Sequence, residues 1–259
     1  MKQPLAYIHP AAKIASSVVI DPFVTIDANV EIGEGTRILS GATILEGSRI
    51  GKNVTIFPNV VVGAIPQDLK FIGEETLAVI GDNTVLRECV TVNRGTAARG
   101  KTVVGSNCLI MAYSHVAHDC IVGDNVIISN ATQLAGEVVV DNFAVIGGGT
   151  LVHQFCHLGA HVMIQGGALI NKDVPPFVKA AREPIAYTGV NSVGLRRRGF
   201  TSEQIREIQE VYRYIYMSNL NVSDAVERVE AELPATRERD EILQFIRNAK
   251  RGIIRGYFN

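Results

Sequence analysis

Aliphatic residues recur in this chain every six positions. The series begins at Ile8 and runs through Ile14, Ile20, Ile26, Ile32, Ile38, Ile44, Ile50, Ile56 and Val62. It resumes at Ile80, Leu86 and Val92, and again at Val104. From there it continues through Ile110, Val116, Val122, Ile128, Leu134, Val140, Ile146, Val152, Leu158, Ile164 and Ile170. All 25 positions are Ile, Val or Leu. Four places after many of them sits a second modest residue, as at Val18, Val24, Val30, Val54, Val60, Cys108, Cys120, Val126 and Cys156. A small, turn-forming residue often follows directly, as at Gly33, Gly51, Gly81, Gly105 and Gly123.

An amphipathic helix repeats near 3.6 residues and a strand at 2, so neither explains a period of six. Short strands separated by tight turns do. Three such strands close one coil of about 18 residues, and stacked coils pair their backbones in parallel about 4.8 Å apart. The aliphatic column then fills a triangular prism, each coil burying its core only against its neighbours. The hand of the coil does not follow from this argument. The general preference of parallel crossovers would make it right-handed.

Two stretches leave the pattern. Residues 64–79 place Asp68 and Glu74 where aliphatics are due, and residues 94–103 place Ala98 there. Both are expected to be loops thrown out from corners of the prism, where binding groups are commonly carried. The repeat ends at Pro175-Pro176, which divides the chain into 1–176 and 177–259. Residues 177–199 read as irregular and finish in Arg196-Arg197-Arg198. Thr201 with Gln204 then forms a capping-box pattern. Ile205, Ile208, Val211, Tyr212 and Ile215 form the apolar stripe of a first helix. A second helix is predicted over 222–232 and a third over 236–251. Some 60 residues make a thin independent core, so this small α-helical domain must pack on the prism or on a partner chain.

Charge and composition exclude several classes. Lys and Arg total 25 against 26 Asp and Glu, a formal net charge of -1, so there is no electrostatic case for nucleic-acid binding. No run of 18 apolar residues suits a transmembrane helix. The N-terminus has no basic region followed by an apolar stretch, so no secretory signal is read there. Cys89, Cys108, Cys120 and Cys156 form no CxxC pair and read as buried thiols in a reducing compartment. The expected location is the cytoplasm.

The 18-residue coil is a ruler for chemistry. His115, His118 and Asp119 share one turn, and steps of 18 from His118 reach Gly136 and Gln154. The column His118, Gly136, Gln154 should therefore rise in layers about 5 and 10 Å apart. A neutral imidazole can take a proton from an alcohol, and Asp119 can orient it and stabilise the imidazolium. A glycine N–H can approach an oxyanion because no Cβ blocks it, and Gln154 can bind an amide or hydroxyl. Together these describe acyl transfer to an alcohol without a serine or cysteine nucleophile. Two other classes rank below it. His115, His118, His153, His157 and His161 are five of the six histidines, and gamma-class carbonic anhydrases, also prism-shaped trimers, bind zinc through three shared histidines. The spacing here makes one tetrahedral site hard to draw within a chain, and neither metal nor cofactor is expected. A non-enzymatic scaffold would need no polar ladder and no basic segment.

The motifs narrow the field. Gln67-Asp68-Leu69-Lys70, Asn93-Arg94-Gly95-Thr96, His115-Val116-Ala117-His118-Asp119-Cys120, Leu134-Ala135-Gly136, Val152-His153-Gln154-Phe155-Cys156, Asp173-Val174-Pro175-Pro176 and Gly194-Leu195-Arg196-Arg197-Arg198-Gly199-Phe200 resemble the UDP-N-acetylglucosamine O-acyltransferases that open lipid A synthesis. That resemblance covers essentially the whole chain. It implies an all-β, left-handed parallel β-helix of hexapeptide repeats with a C-terminal helical domain, assembled as a homotrimer with sites between subunits. It implies acyl carrier protein bearing a 3-hydroxyacyl thioester as donor and UDP-N-acetylglucosamine as acceptor. It makes His118 the general base and Gly136 the oxyanion donor. Asp68, Lys70, His115, His153 and Gln154 become sugar and phosphate contacts, and Asn191, Arg197 and Arg198 become nucleotide-side or donor-side groups. Gly166 becomes the stop that sets acyl-chain depth, leaving the groove open for 14 carbons or more, unless Gln165 shortens it. Three positions depart from the family pattern. Asn93 and Glu137 stand where relatives carry His, and Val193 where they carry Glu, which bears on donor binding rather than on base or oxyanion donor.

Overall fold

A computed structural model describes residues 5–256. Residues 1–4 and 257–259, at the two ends of the spans drawn above, lie outside the described residues. Three parallel sheets wrap a single column of aliphatic side chains. The first face stacks Tyr7–Ile8, Thr25–Ile26, Thr43–Ile44, Val61–Ala64, Thr91–Asn93, His115–Val116, Gln133–Leu134, Leu151–Val152 and Leu169–Ile170. The second face runs from Lys13–Ile14 to His157–Leu158, and the third from Val19–Ile20 to Met163–Ile164. Ile8 and Ile14 are half-buried, and every later member of the six-residue series is buried. One side chain per strand points inward, which is why the sequence shows a period of six.

Register follows the ruler. Val116 pairs with Leu134 and Leu134 with Val152, steps of 18. Val62 pairs with Val92, a step of 30, and Val92 with Val116, a step of 24. The two excursions thus insert 12 and 6 residues, and after each the chain resumes on the second face, so the order of faces is kept. Both leave from the corner between the first and second faces.

The corners turn by a device that sequence reading had assigned to other residues. The left-handed conformation falls three places after most core aliphatics, for example at Asn29, Asn53, Asn83, Asn107 and Asn125, and also at Tyr113, Asp119, Glu137, Phe155 and His161. Most of the glycines that directly follow the aliphatics are needed for close approach instead. A Cβ on Gly105 would lie 2.5 Å from the Gly123 carbonyl oxygen, one coil above.

Residues 177–199 form two strands and a short helix where irregular chain was expected. Val178–Ala181 pairs in parallel with Met163–Ile164 and antiparallel with Ala186–Val190, so the third sheet continues past the last coil. Helix α1, Ser192–Arg197, follows with Asn191 as its N-cap. The missed hairpin lacks hexad spacing because it no longer encloses a column. Helix α2 spans Ser202–Met217, with the expected capping box at Thr201 and Gln204. Helix α3 spans Val222–Glu232 and α4 Arg237–Asn248. The helices seal the end of the prism. Tyr187 on the hairpin stacks on Tyr212 and Tyr216 of α2, at 5.3 and 4.4 Å between centroids. The fully buried Tyr212 hydroxyl donates to the Pro176 carbonyl at 2.6 Å. Phe245 of α4 packs on His157 of the second face. No helix among the described residues is long and apolar enough to cross a membrane.

Candidate active site

His118, Gly136 and Gln154 occupy successive layers of one corner, where the first face turns into the second. Each follows a strand whose aliphatic is fixed in the core, so the polar residue two places later is held at the edge. His118 is 7% exposed and Asp119 is fully buried beside it. The left-handed backbone of Asp119 folds its carboxylate back under the imidazole, and His118 Nδ1 lies 2.9 Å from Asp119 Oδ2. That contact places the ring proton on Nδ1 and leaves Nε2 with its lone pair free.

The Asp119 carboxylate is fully engaged. Oδ2 accepts the Thr96 hydroxyl at 2.7 Å as well as the imidazole N–H. Oδ1 accepts the backbone N–H of Thr96 at 3.0 Å and of Arg99 at 3.2 Å. Burial pushes this carboxyl upward, but the bonds from Thr96 and His118 outweigh burial and hold it below the ordinary aspartate value. It stays an anion that orients the imidazole rather than a proton acceptor.

Gly136 is glycine because the imidazole fills the place of its side chain. A Cβ there would fall 2.5 Å from both Cε1 and Nε2 of His118. Its backbone is not left-handed; that conformation belongs to Glu137, the next residue. The Gly136 N–H engages no protein acceptor among the described residues. A basic nitrogen and a free backbone donor therefore meet at one edge, as the ruler requires.

A cleft of about 600 Å³ opens over this edge and runs up the first face along Leu151 and Leu169. His115, His153, Gln154 and Gln67 also line it. His115 lies 2.7 Å from the Thr91 hydroxyl, and burial, then the neighbouring His118, lower its pKa. His153 is exposed, with Nδ1 3.0 Å from the Gln154 carbonyl.

Other candidates lie elsewhere on the protomer. Asp68 and Lys70 sit beyond Gln67 in the first excursion, where the Asp68 carboxylate accepts the Lys70 N–H at 2.9 Å. Gly166 is at the opposite edge of the first face, with space for a Cβ limited by the Gly148 carbonyl oxygen at 3.1 Å. Gln165 is turned away, donating to the Arg182 carbonyl. Asn191, Arg197 and Arg198 lie by the third corner, between the second and third faces. There Asn191 donates to the His161 carbonyl at 2.9 Å, and the Arg198 guanidinium stacks 5.3 Å from the Phe143 ring centroid. One chain therefore unites His118, Asp119, Gly136, His115, His153 and Gln154, carries Asp68 and Lys70 on the loop from the same corner, and leaves Gly166, Asn191, Arg197 and Arg198 elsewhere. The histidines likewise diverge. His157 pairs with Asp141 on the second face and His161 is stacked between Phe143 and Phe177. No group of three or more His, Cys, Asp or Glu among the described residues is placed to hold a metal ion.

The departures have local explanations. Asn93 is buried and donates to the Ile65 carbonyl at 3.1 Å, tying down the root of the first excursion. Glu137 is half-buried beside Arg99, whose guanidinium approaches the Glu137 carbonyl at 3.5 Å. Val193 is exposed on α1. Sequence reading missed Thr96 and Arg99. The available signal was that the second excursion leaves the corner one coil below His118.

Comparison with known proteins agrees with this geometry. The profile of UDP-N-acetylglucosamine O-acyltransferase domain 2 matches residues 173–254, and the bacterial transferase hexapeptide profile matches 101–136. The C-terminal-domain profile of GMPPB matches 2–104. Acyl-[acyl-carrier-protein]–UDP-N-acetylglucosamine O-acyltransferases are similar throughout. That of Janthinobacterium is 45% identical over 97% of this chain and 98% of its own, and that of Halorhodospira halophila 46% over 97% and 98%. Among solved structures, the UDP-N-acetylglucosamine acyltransferase of Bacteroides fragilis superposes with a TM-score of 0.97 at 58% identity, covering 98% of this chain and all of that one. The Arabidopsis enzyme superposes at 0.88 with 34% identity, covering 98% and 100%. The prism is a left-handed parallel β-helix, the hand that the family resemblance implied against the general crossover rule. The chain belongs to the acyl-[acyl-carrier-protein]–UDP-N-acetylglucosamine O-acyltransferase family.

Proposed function

We propose that the chain transfers a 3-hydroxyacyl group from acyl carrier protein to the 3-hydroxyl of UDP-N-acetylglucosamine, the opening step of lipid A synthesis, with His118 as general base. The observation that carries the mechanism is the imidazole edge lying where a Gly136 side chain would be. His118 Nε2 takes the proton of the sugar hydroxyl as its oxygen attacks the thioester carbonyl. Asp119 stabilises the imidazolium, and the Gly136 N–H donates to the oxyanion of the tetrahedral intermediate. The C–S bond then breaks, His118 returns its proton to the departing thiolate, and ester and carrier thiol leave. No covalent enzyme intermediate is needed. Burial raises the Cys120 and Cys156 thiols to about 12 and about 11, which suits core residues rather than nucleophiles.

The active assembly is a homotrimer in the cytoplasm. Tyr113, Leu151, Phe155 and Leu169, on the first face or at its edges, are all about half or more exposed in one protomer, an apolar surface suited to a neighbouring copy. Such packing brings the third-corner groups Asn191, Arg197 and Arg198, and the excursion groups Asp68 and Lys70, toward a neighbour's cleft. Guanidinium groups there suit phosphates and an acidic carrier protein. The acyl chain follows the apolar floor toward Gly166. Each buried methylene contributes about 0.8 kcal/mol, so two discriminate roughly tenfold, with preference for 14 carbons or more.

The test is a transfer assay with UDP-N-acetylglucosamine and a series of 3-hydroxyacyl carrier-protein thioesters. The wild-type protein forms the 3-O-acyl product, and His118→Ala abolishes turnover while keeping its melting temperature. Near-normal turnover in that variant removes His118 from the chemistry, and no product with any thioester removes the reaction.

A further inference from the structure

The second excursion is directed mainly at Asp119. Gly95 lets its ends close, since a Cβ there would meet the Lys101 backbone nitrogen at 2.4 Å. The Gly100 N–H donates back to the Thr96 carbonyl at 2.7 Å. Three of the four hydrogen bonds to the Asp119 carboxylate come from this loop: the Thr96 N–H, the Thr96 hydroxyl and the Arg99 N–H. Thr102, where the loop rejoins the second face, accepts the Asp119 N–H at 2.8 Å. The Ala98 N–H, donating to Thr96 Oγ1 at 3.1 Å, directs the hydroxyl proton toward Asp119. Thr96 itself is 7% exposed and does not line the cleft.

We propose that Thr96 is a positioning residue for the transfer reaction: its hydroxyl shares Asp119 Oδ2 with His118 Nδ1 and so fixes the angle and tautomer at which the imidazole presents Nε2 over Gly136. The loop is thereby a clamp on the base rather than a substrate-binding flap. The hydroxyl locks the carboxylate so that only one direction remains for the imidazole N–H. The inference rests on His118 being the base.

The variants Thr96→Val, Thr96→Ala and Thr96→Ser test it, with His118→Ala measured beside them. Val keeps shape and loses the hydroxyl; Ser keeps the hydroxyl. In Val, kcat falls roughly tenfold, the scale of a lost hydrogen bond to a charged group. KM for UDP-N-acetylglucosamine stays within about twofold, because no substrate contact is removed. Ser restores kcat to within about threefold of wild type. If Val leaves kcat unchanged while His118→Ala is inactive, the base reading stands and the Thr96 proposal fails. An active His118→Ala defeats the base reading first. Should Val not fold, Ala is read by the same measures. Failure of both to give a melting protein assigns Thr96 a purely structural role and overturns the proposal.

Discussion

Substituting Gly136→Ala tests the site at its tightest point. The new methyl would arrive 2.5 Å from Cε1 and Nε2 of His118, whereas ordinary contact begins near 3.4 Å. The difference, 3.4 less 2.5, means that the ring must retreat by about 1 Å. The backbone at Gly136 is not left-handed, so alanine adds no torsional strain of its own. Retreat disturbs the 2.9 Å contact to Asp119 that orients the ring. It also moves Nε2 off the line to the acceptor hydroxyl. A misplacement of this size costs about 100-fold in rate. The expected result is a kcat lower by about two orders of magnitude, a KM for the sugar nucleotide within about twofold of wild type, and a small fall in melting temperature. Initial-rate assays and differential scanning calorimetry measure all three. A variant retaining a third or more of wild-type kcat would show that the imidazole does not act from its observed position.

Three further outcomes follow from the packing. Tyr212→Phe leaves the Pro176 carbonyl without its donor and lowers stability by about 1–3 kcal/mol without changing KM; guanidinium melts and initial rates check this. His161 is held near pKa 4, by burial first and then by Arg198 and Arg237. The unfolded imidazole, near 6.5, therefore takes up its proton first, and stability falls as pH drops from about 6.5 toward 4. With solvent screening of the half-buried ring, the wild type loses about 1 kcal/mol more than His161→Gln between pH 7.5 and 5; equal losses in paired melts refute this. Buried, protonated Cys108, Cys120 and Cys156 should resist iodoacetamide in the native protein, leaving Cys89 as the first site of labelling by mass spectrometry.

The architecture was legible because one inward side chain per strand imprints six-fold spacing on the sequence. That spacing placed His118, Gly136 and Gln154 on one shared edge without any coordinates. It could not carry the Thr96–Asp119 bonds. The excursion adds 6 residues to the coil, so the ruler slips there, and a threonine inside a loop carries no periodic mark. The glycines after the aliphatics were misread for another reason: sequence shows that a Cβ is absent, not whether torsion or crowding removed it. The hairpin 178–190 escaped because its pairing is antiparallel and its period differs. Asn191, Arg197 and Arg198 were visible as residues, but the chain holds them by another corner than the cleft.

The uneven pairing steps of 18, 24 and 30 define which insertions this architecture absorbs. A loop of any length is neutral to the cleft if the chain resumes on the face that was due next, whereas one surplus hexad laid down as strand rotates everything beyond it by a third of a revolution. Such a slip between Val122 and Leu134 would carry Gly136 to a different edge from His118 with the hydrophobic interior intact. Drift in this scaffold can therefore abolish chemistry without unfolding the protein.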